Sequence, residues 1–154
     1  MLEVLMYLFD HYINNPKSPQ EISEDDLTVE LQQAGFNTDE INRAFDWLED
    51  LEELQANDKV FQSSASPVRL YNSEELLRLN KECLGFILLL EQLKILDPVT
   101  REMVIDRALA LPETLTLSRL KWVALIVLLN RPGKEAALEW LEEMIYNGTN
   151  ATVH

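Results

Sequence analysis

The side chains best suited to chemistry in this chain are carboxylates. Asp46, Glu49, Asp50 and Glu53 follow a spacing that sets all four on one face of a helix. Carboxylates so placed can attract a basic partner, or serve as acid and base where a pocket brings two together. No pocket signal accompanies them, so they are read as a docking face rather than a catalytic pair. Asp46–Glu49, Asp46–Asp50, Glu49–Glu52, Glu49–Glu53 and Asp50–Glu53 are like-charge neighbours, each costing about 0.2–0.5 kcal/mol in an isolated helix. The later ones also oppose the helix dipole. Helix stability alone would not choose this arrangement. The competing reading is a solvated face that serves solubility.

Other reactive types are sparse. His11 and His154 are far apart in the sequence, and Asp10-His11 splays two adjacent side chains by about 100° on a helix, poor geometry for chelation. Cys83 has no His or Cys at motif spacing and reads as a small buried hydrophobe. No glycine-rich phosphate loop, HExxH, CxxC or nucleophile elbow occurs. No catalytic, metal-binding or cofactor-binding residue is nominated, and the expectation is a protein that is not an enzyme. Trp47, Trp122 and Trp140 sit among apolar neighbours and read as packing residues, with Arg43 placed to stack on Trp47. Asn147-Gly148-Thr149 and Asn150-Ala151-Thr152 form glycosylation sequons that are expected to be unused.

Charge is divided unevenly. Residues 1–58 hold 15 Asp/Glu against Lys17 and Arg43, whereas residues 59–154 hold 12 acids and 11 bases, giving −14 overall. Two helices joined by a short turn lie within the acidic part, a shape that elsewhere enters the DNA major groove. A DNA reader needs Lys or Arg for the phosphates. The second of these helices instead carries Asp39, Glu40, Asp46, Glu49, Asp50, Glu52 and Glu53, with Arg43 its only base. DNA binding through this helix is therefore disfavoured.

The elements that position these residues read as helices. Leu2, Leu5, Met6, Phe9 and Ile13 make the apolar stripe of a first helix over 2–14, ended by Asn14-Asn15-Pro16 and followed by a polar loop with Pro16 and Pro19. Ser23 caps a second over 24–34, and Gly35 stops it. Asn37 with Glu40 resembles a capping box for a third, reaching Leu54, with Ile41, Ala44, Phe45, Leu48 and Leu51 inward. Lys59–Gln62 and Val68–Tyr71 are β-prone and flank the turn-forming 63–67, so three helices and a hairpin predict a winged-helix-like module.

The rest predicts four helices. One runs from Ser73, read as its cap with Glu74 and Glu75 in the first turn, to about Leu96, with Leu76, Leu79, Cys83, Phe86, Leu90 and Leu93 on one face. Leu77, Leu84, Ile87 and Leu88 form a second apolar face, which predicts a central helix. Asp97-Pro98 opens the next, to about Leu111. Thr116 or Ser118 caps a buried helix through Asn130, stopped by Arg131-Pro132-Gly133. Ala137, Leu138, Leu141, Met144 and Ile145 line the last, before Gly148. The apolar run WVALIVLL is too short to span a bilayer, and Glu3 and Asp10 interrupt the N-terminal run, so neither signal peptide nor membrane span is expected. A lone cysteine implies no disulfide framework and a reducing, cytoplasmic location.

The stretches VLMYLFDHYI (4–13), QQAGFNTDEINRAFDWLEDL (32–51), VRLYNSEE (68–75), GFILLLEQLKILD (85–97), TREMVIDRALAL (100–111) and LKWVALIVLLNRPGKEAALEWLEEMI (120–145) resemble the Smg family of bacterial cytoplasmic proteins. The resemblance covers nearly the whole chain, leaving out chiefly 14–26, 55–67 and 146–154. It brings no catalytic residues and no settled biochemical function. It implies a genomic neighbourhood shared with a DNA-processing protein involved in DNA uptake, which gives a context and not a mechanism.

The expected fold is mainly α. Residues 1–71 form an acidic helix-turn-helix or winged-helix-like module, 72–146 a four-helix unit and 147–154 a polar tail. The expected function is a non-enzymatic regulator or adaptor that binds a protein partner through Asp46, Glu49, Asp50 and Glu53. The alternative is a nucleic-acid-binding regulator using the wing (Lys59, Arg69) or the bases Arg101, Arg107, Arg119, Lys121, Arg131 and Lys134. Those bases read more simply as ion-pair partners of Glu102, Asp106, Glu135 and Glu139, or of the acidic module itself. No membrane association or cofactor is expected, and the sequence leaves the oligomeric state open.

Overall fold

The computed structural model describes residues 1–13, 23–62, 66, 68–129, 131 and 133–151. Every regular element among these residues is a helix. The chain divides into two compact units, Met1–Glu52 and Glu53–His154, with the division inside a helix.

In the first unit, α1 (Leu2–Leu8) continues as a π-helical segment over Phe9–Ile13, where the sequence predicts one uninterrupted α-helix. Leu2, Val4, Leu5, Leu8 and Phe9 are buried, so α1 hides more than the single expected stripe. Tyr7 stacks on His11 with ring centroids 3.9 Å apart and meets Phe36 edge-on at 5.7 Å. Its hydroxyl reaches Glu30 of α2 at 3.5 Å. The predicted loop at Pro16 and Pro19 lies outside the described residues. The N-terminus of α2 (Glu24–Gln33) is capped by Ser23, whose hydroxyl accepts from the Asp26 N–H at 3.2 Å. Gly35 takes φ +104°, a left-handed conformation that glycine adopts without strain, and turns the chain into α3 (Thr38–Ala56). Asn37 accepts from the Glu40 N–H at 2.8 Å, as its position implies.

The second unit contains the end of α3, then α4 (Lys59–Gln62), α5 (Ser73–Arg78), α6 (Lys81–Gln92), α7 (Pro98–Leu109), α8 (Leu117–Leu129) and α9 (Glu135–Ala151). At its centre is α8: Leu120 and Trp122 through Leu128 are all buried, and it packs against α6, α7 and α9. A helix apolar all round is stable only when enclosed. Asp97 accepts from the Thr100 N–H at 2.7 Å with Pro98 first in α7, and Thr116 accepts from the Arg119 N–H at 3.2 Å.

Three expectations are corrected. The first strand of the anticipated hairpin, Lys59–Gln62, is the helical turn α4, which packs on α7, and Val68–Tyr71 forms no strand. Four β-prone residues have weak intrinsic preference without a pairing strand, and Arg69, which should sit in that strand, is held sideways by Glu75 and Glu102. The turn residues Ser63–Ala65 and Pro67 lie outside the described residues. The helix expected over 73–96 begins on Asn72 rather than a Ser73 cap, Asn72 accepting from the Glu75 N–H at 2.9 Å while the Glu75 carboxylate accepts from the Asn72 N–H. It then breaks: Leu79 is extended (φ −91°, ψ 105°), and Asn80 caps α6 by accepting from the Cys83 N–H at 2.9 Å. Its second apolar face is left partly bare, and α8 takes the central place. Finally, α9 continues past Gly148 to Ala151, through the first part of the expected polar tail.

Candidate functional site

The helix α3 is amphipathic. Ile41, Ala44, Trp47 and Leu51 are buried, with Phe45 and Leu48 half-buried beside them. Asp46, Glu49, Asp50 and Glu53 project from the opposite side, and all four are exposed. Trp47 is therefore a packing residue, as its spacing implies. The acidic stripe is a surface of charge rather than a cleft: it can attract and orient a basic surface but holds no enclosed space.

The arginines of the second unit, and Lys134, are engaged within that unit. Arg69 pairs with Glu75 through Nη2 and with Glu102 at 3.0 Å through Nε, and its guanidinium lies 4.8 Å from the centre of the Tyr71 ring. Arg101, fully buried, donates from Nε to Glu102 at 2.9 Å and from Nη1 to Glu91 at 3.3 Å. Arg107 pairs with Asp106 at 2.8 Å, and Arg131 lies 3.9 Å from Asp58. Arg78 donates to the Leu109 and Leu111 carbonyls at 2.9 and 2.8 Å, satisfying the end of α7. Arg119 donates to the Thr114 carbonyl, and Lys134 to that of Lys94 at 3.3 Å. The pairs Arg101–Glu102 and Arg107–Asp106 were legible from local charge balance. Arg69 was read as a wing base, and its place in a five-residue ionic cluster has no local sequence signal.

That cluster perturbs its members. Burial pushes the Glu75 carboxyl up, but the Asn72 N–H and Arg69 outweigh it and hold it below the ordinary value. Burial lowers the Arg69 guanidinium, and its two carboxylate partners more than restore it. The Tyr71 hydroxyl is raised by burial first and then by Glu91. Above the cluster an open groove of about 410 Å³ runs between Val68, Arg69 and Tyr71 on one side and Leu84, Gly85, Leu88 and Glu91 of α6 on the other. A groove with apolar walls and a paired-ion end suits an apolar side chain better than a free ion. Cys83, by contrast, is buried, and burial raises its thiol, so it stays a neutral packing group. Among the described residues no group of three or more His, Cys, Asp or Glu is placed to hold a metal ion, and no helix is long and apolar enough to cross a membrane.

Comparison with known proteins agrees with the resemblance read from the sequence blocks. A protein named "Protein Smg homolog" from Shewanella woodyi is 45% identical over 157 residues, covering 100% of this chain and 99% of its own. One from Nitrosococcus oceani is 44% identical over 156 residues (100% and 98%), and one from Shewanella oneidensis 46% over 149 (95% and 94%). No solved structure matches the chain. The family described as "Protein of unknown function (DUF494)" matches residues 1–154. With that full-length match, and relatives similar from end to end that carry the Smg name, the chain belongs to this family.

Proposed function

We propose that this chain is a non-enzymatic regulator or adaptor that docks a basic protein partner through the acidic face of α3. The observation that carries the reading is the exposure of Asp46, Glu49, Asp50 and Glu53 on one face, on a helix that bears their mutual repulsion. Such a face speeds encounter with a positively charged surface and rejects phosphate-rich ones. The genomic neighbourhood that the family resemblance implies supports a link to DNA processing, in which an acidic helix would occupy the basic nucleic-acid site of an enzyme.

Neutralising all four (Asp46→Asn, Glu49→Gln, Asp50→Asn, Glu53→Gln) tests this by affinity capture from the native cytosol at rising ionic strength. The wild-type chain is expected to retain a partner whose binding weakens steeply with salt, and the neutralised chain to lose it. The neutralised chain should also be more stable by about 1 kcal/mol, since several like-charge pairs disappear. Capture that is equal for both chains at every salt concentration overturns the proposal.

The alternative, nucleic-acid binding through second-unit bases, has fewer cations to draw on. Arg69, Arg101, Arg107 and Arg131 already face carboxylates, leaving Lys59, Lys81 and Lys94 as its most exposed charges, with Lys121 half-buried and its ammonium 5.8 Å from the centre of the Phe86 ring. A mobility shift of nonspecific DNA at low salt, lost on Lys121→Gln or Arg69→Gln, would favour it.

A further inference from the structure

The face of α6 that points away from the core is not polar. Reading along it, Lys81, Leu84, Gly85, Leu88, Glu91 and Gln92 recur at helical spacing, and all are exposed or half-exposed. Leu88 is 55% exposed, and Val68, across the groove from it, is 73% exposed. Nearby in the sequence Leu70 and Leu77 stand 84% and 86% exposed. Soluble monomers rarely leave large apolar patches bare, beyond roughly 300–600 Å².

Gly85 sharpens the question. In a helix interior glycine is less stable than alanine, yet a Cβ added at Gly85 would meet nothing within 4 Å. Nothing among the described residues requires glycine there. A glycine in the middle of an apolar, solvent-facing helix stripe is what a close helix-to-helix approach needs.

The charges on this stripe name the occupant. Lys81 lies at one end and Glu91, half-exposed while one of its oxygens accepts from Arg101, at the other, with the apolar residues between. Two copies of α6 laid antiparallel, with Lys81 of one facing Glu91 of the other, also set Leu84 opposite Leu88, with Gly85 beside the two-fold axis. The sequence of this face is therefore complementary to itself when reversed, the condition for an isologous interface. Residues 68–94 carry four bases (Arg69, Arg78, Lys81, Lys94) and four acids (Glu74, Glu75, Glu82, Glu91), so this region is neutral within a chain of −14.

From these observations we infer that the chain forms a homodimer through antiparallel pairing of α6, the second copy's Leu88 entering the groove beside Gly85. This surface shares no residue with the acidic stripe of α3. Salt weakens docking to a basic partner throughout, whereas at the dimer seam its screening of the Lys81–Glu91 pairs is offset by screening of the repulsion between two acidic chains and by the apolar contact, which salt leaves or strengthens.

Sedimentation equilibrium of the full chain over roughly 1–200 µM, the span that reads a micromolar Kd, tests the dimer. Leu88→Glu and Lys81→Glu, both at exposed positions, should each weaken it at least about tenfold. Orientation is tested by mild oxidation of single cysteine variants. Antiparallel pairing sets two residues 85 within about 3 Å of each other along the axis and two residues 92 about 18 Å apart. Gly85→Cys should give a covalent dimer, Gln92→Cys should not, and the wild-type chain with buried Cys83 should give none. A wild-type chain monomeric up to roughly 200 µM overturns the inference, as does a dimer indifferent to Leu88→Glu and Lys81→Glu. Equal cross-linking at 85 and 92 overturns the antiparallel seam.

Discussion

Lys94 adopts φ +63°, the left-handed conformation, immediately after α6. The N–H of Ile95 reaches back to the Leu90 carbonyl at 2.9 Å, closing the helix as glycine usually does at this place. A lysine there bears a steric cost that glycine avoids. Lys94→Gly should stabilise the protein by about 0.5–1 kcal/mol, after allowing for glycine's greater freedom in the unfolded chain, as read by urea denaturation.

Glu75 yields a second expectation at the same scale. Its carboxyl titrates below its ordinary value in the folded chain, so folding gains stability from its charge at neutral pH. That gain is complete above the unfolded value and is lost as pH falls through the folded one. Glu75→Gln keeps an acceptor for the Asn72 N–H but loses the charge facing Arg69. The variant should melt lower at pH 7, and its melting temperature should fall less than the wild type's on acidification below about pH 4.5.

At the scale of elements, caps decide where helices begin. Asn80 shows this best, because it divides what hydrophobic periodicity reads as one helix into α5 and α6. Asn80→Ala should cost about 1 kcal/mol, typical for a lost N-cap, measurable by thermal or urea denaturation. Most boundaries were readable from such residues: Ser23, Asn37, Asp97 and Thr116 all cap where the sequence places them. Where reading failed, the deciding interaction was distant. α4 is helical although its residues favour strands, because its packing is set by α7. Arg69 left the anticipated wing because its carboxylate partners sit on α5 and α7. Gly148 did not end α9, for a single glycine weakens a helix without having to stop it. The acidic stripe of α3 was fully legible, since one helix supplies all of it. The groove beside Gly85 was not, since its walls come from separate segments.

Seen whole, the chain segregates its charge along its length. Nearly all its net negative charge precedes residue 59, while the arginines that follow are matched to nearby carboxylates and carbonyls. The segregation therefore survives folding on α3, whose four carboxylates remain in contact with water. The second unit is arranged on different terms, around a helix with no polar face of its own. Because α8 is enclosed by α6 and α7, which precede it, and by α9, which follows, the order of synthesis matters. A nascent chain released as far as Leu129 carries its greasiest segment with one wall still unmade, a state that invites aggregation. Truncation before Glu135 should accordingly send the product to the insoluble fraction. The helix made after α8 is the one that renders this half of the molecule fit for water.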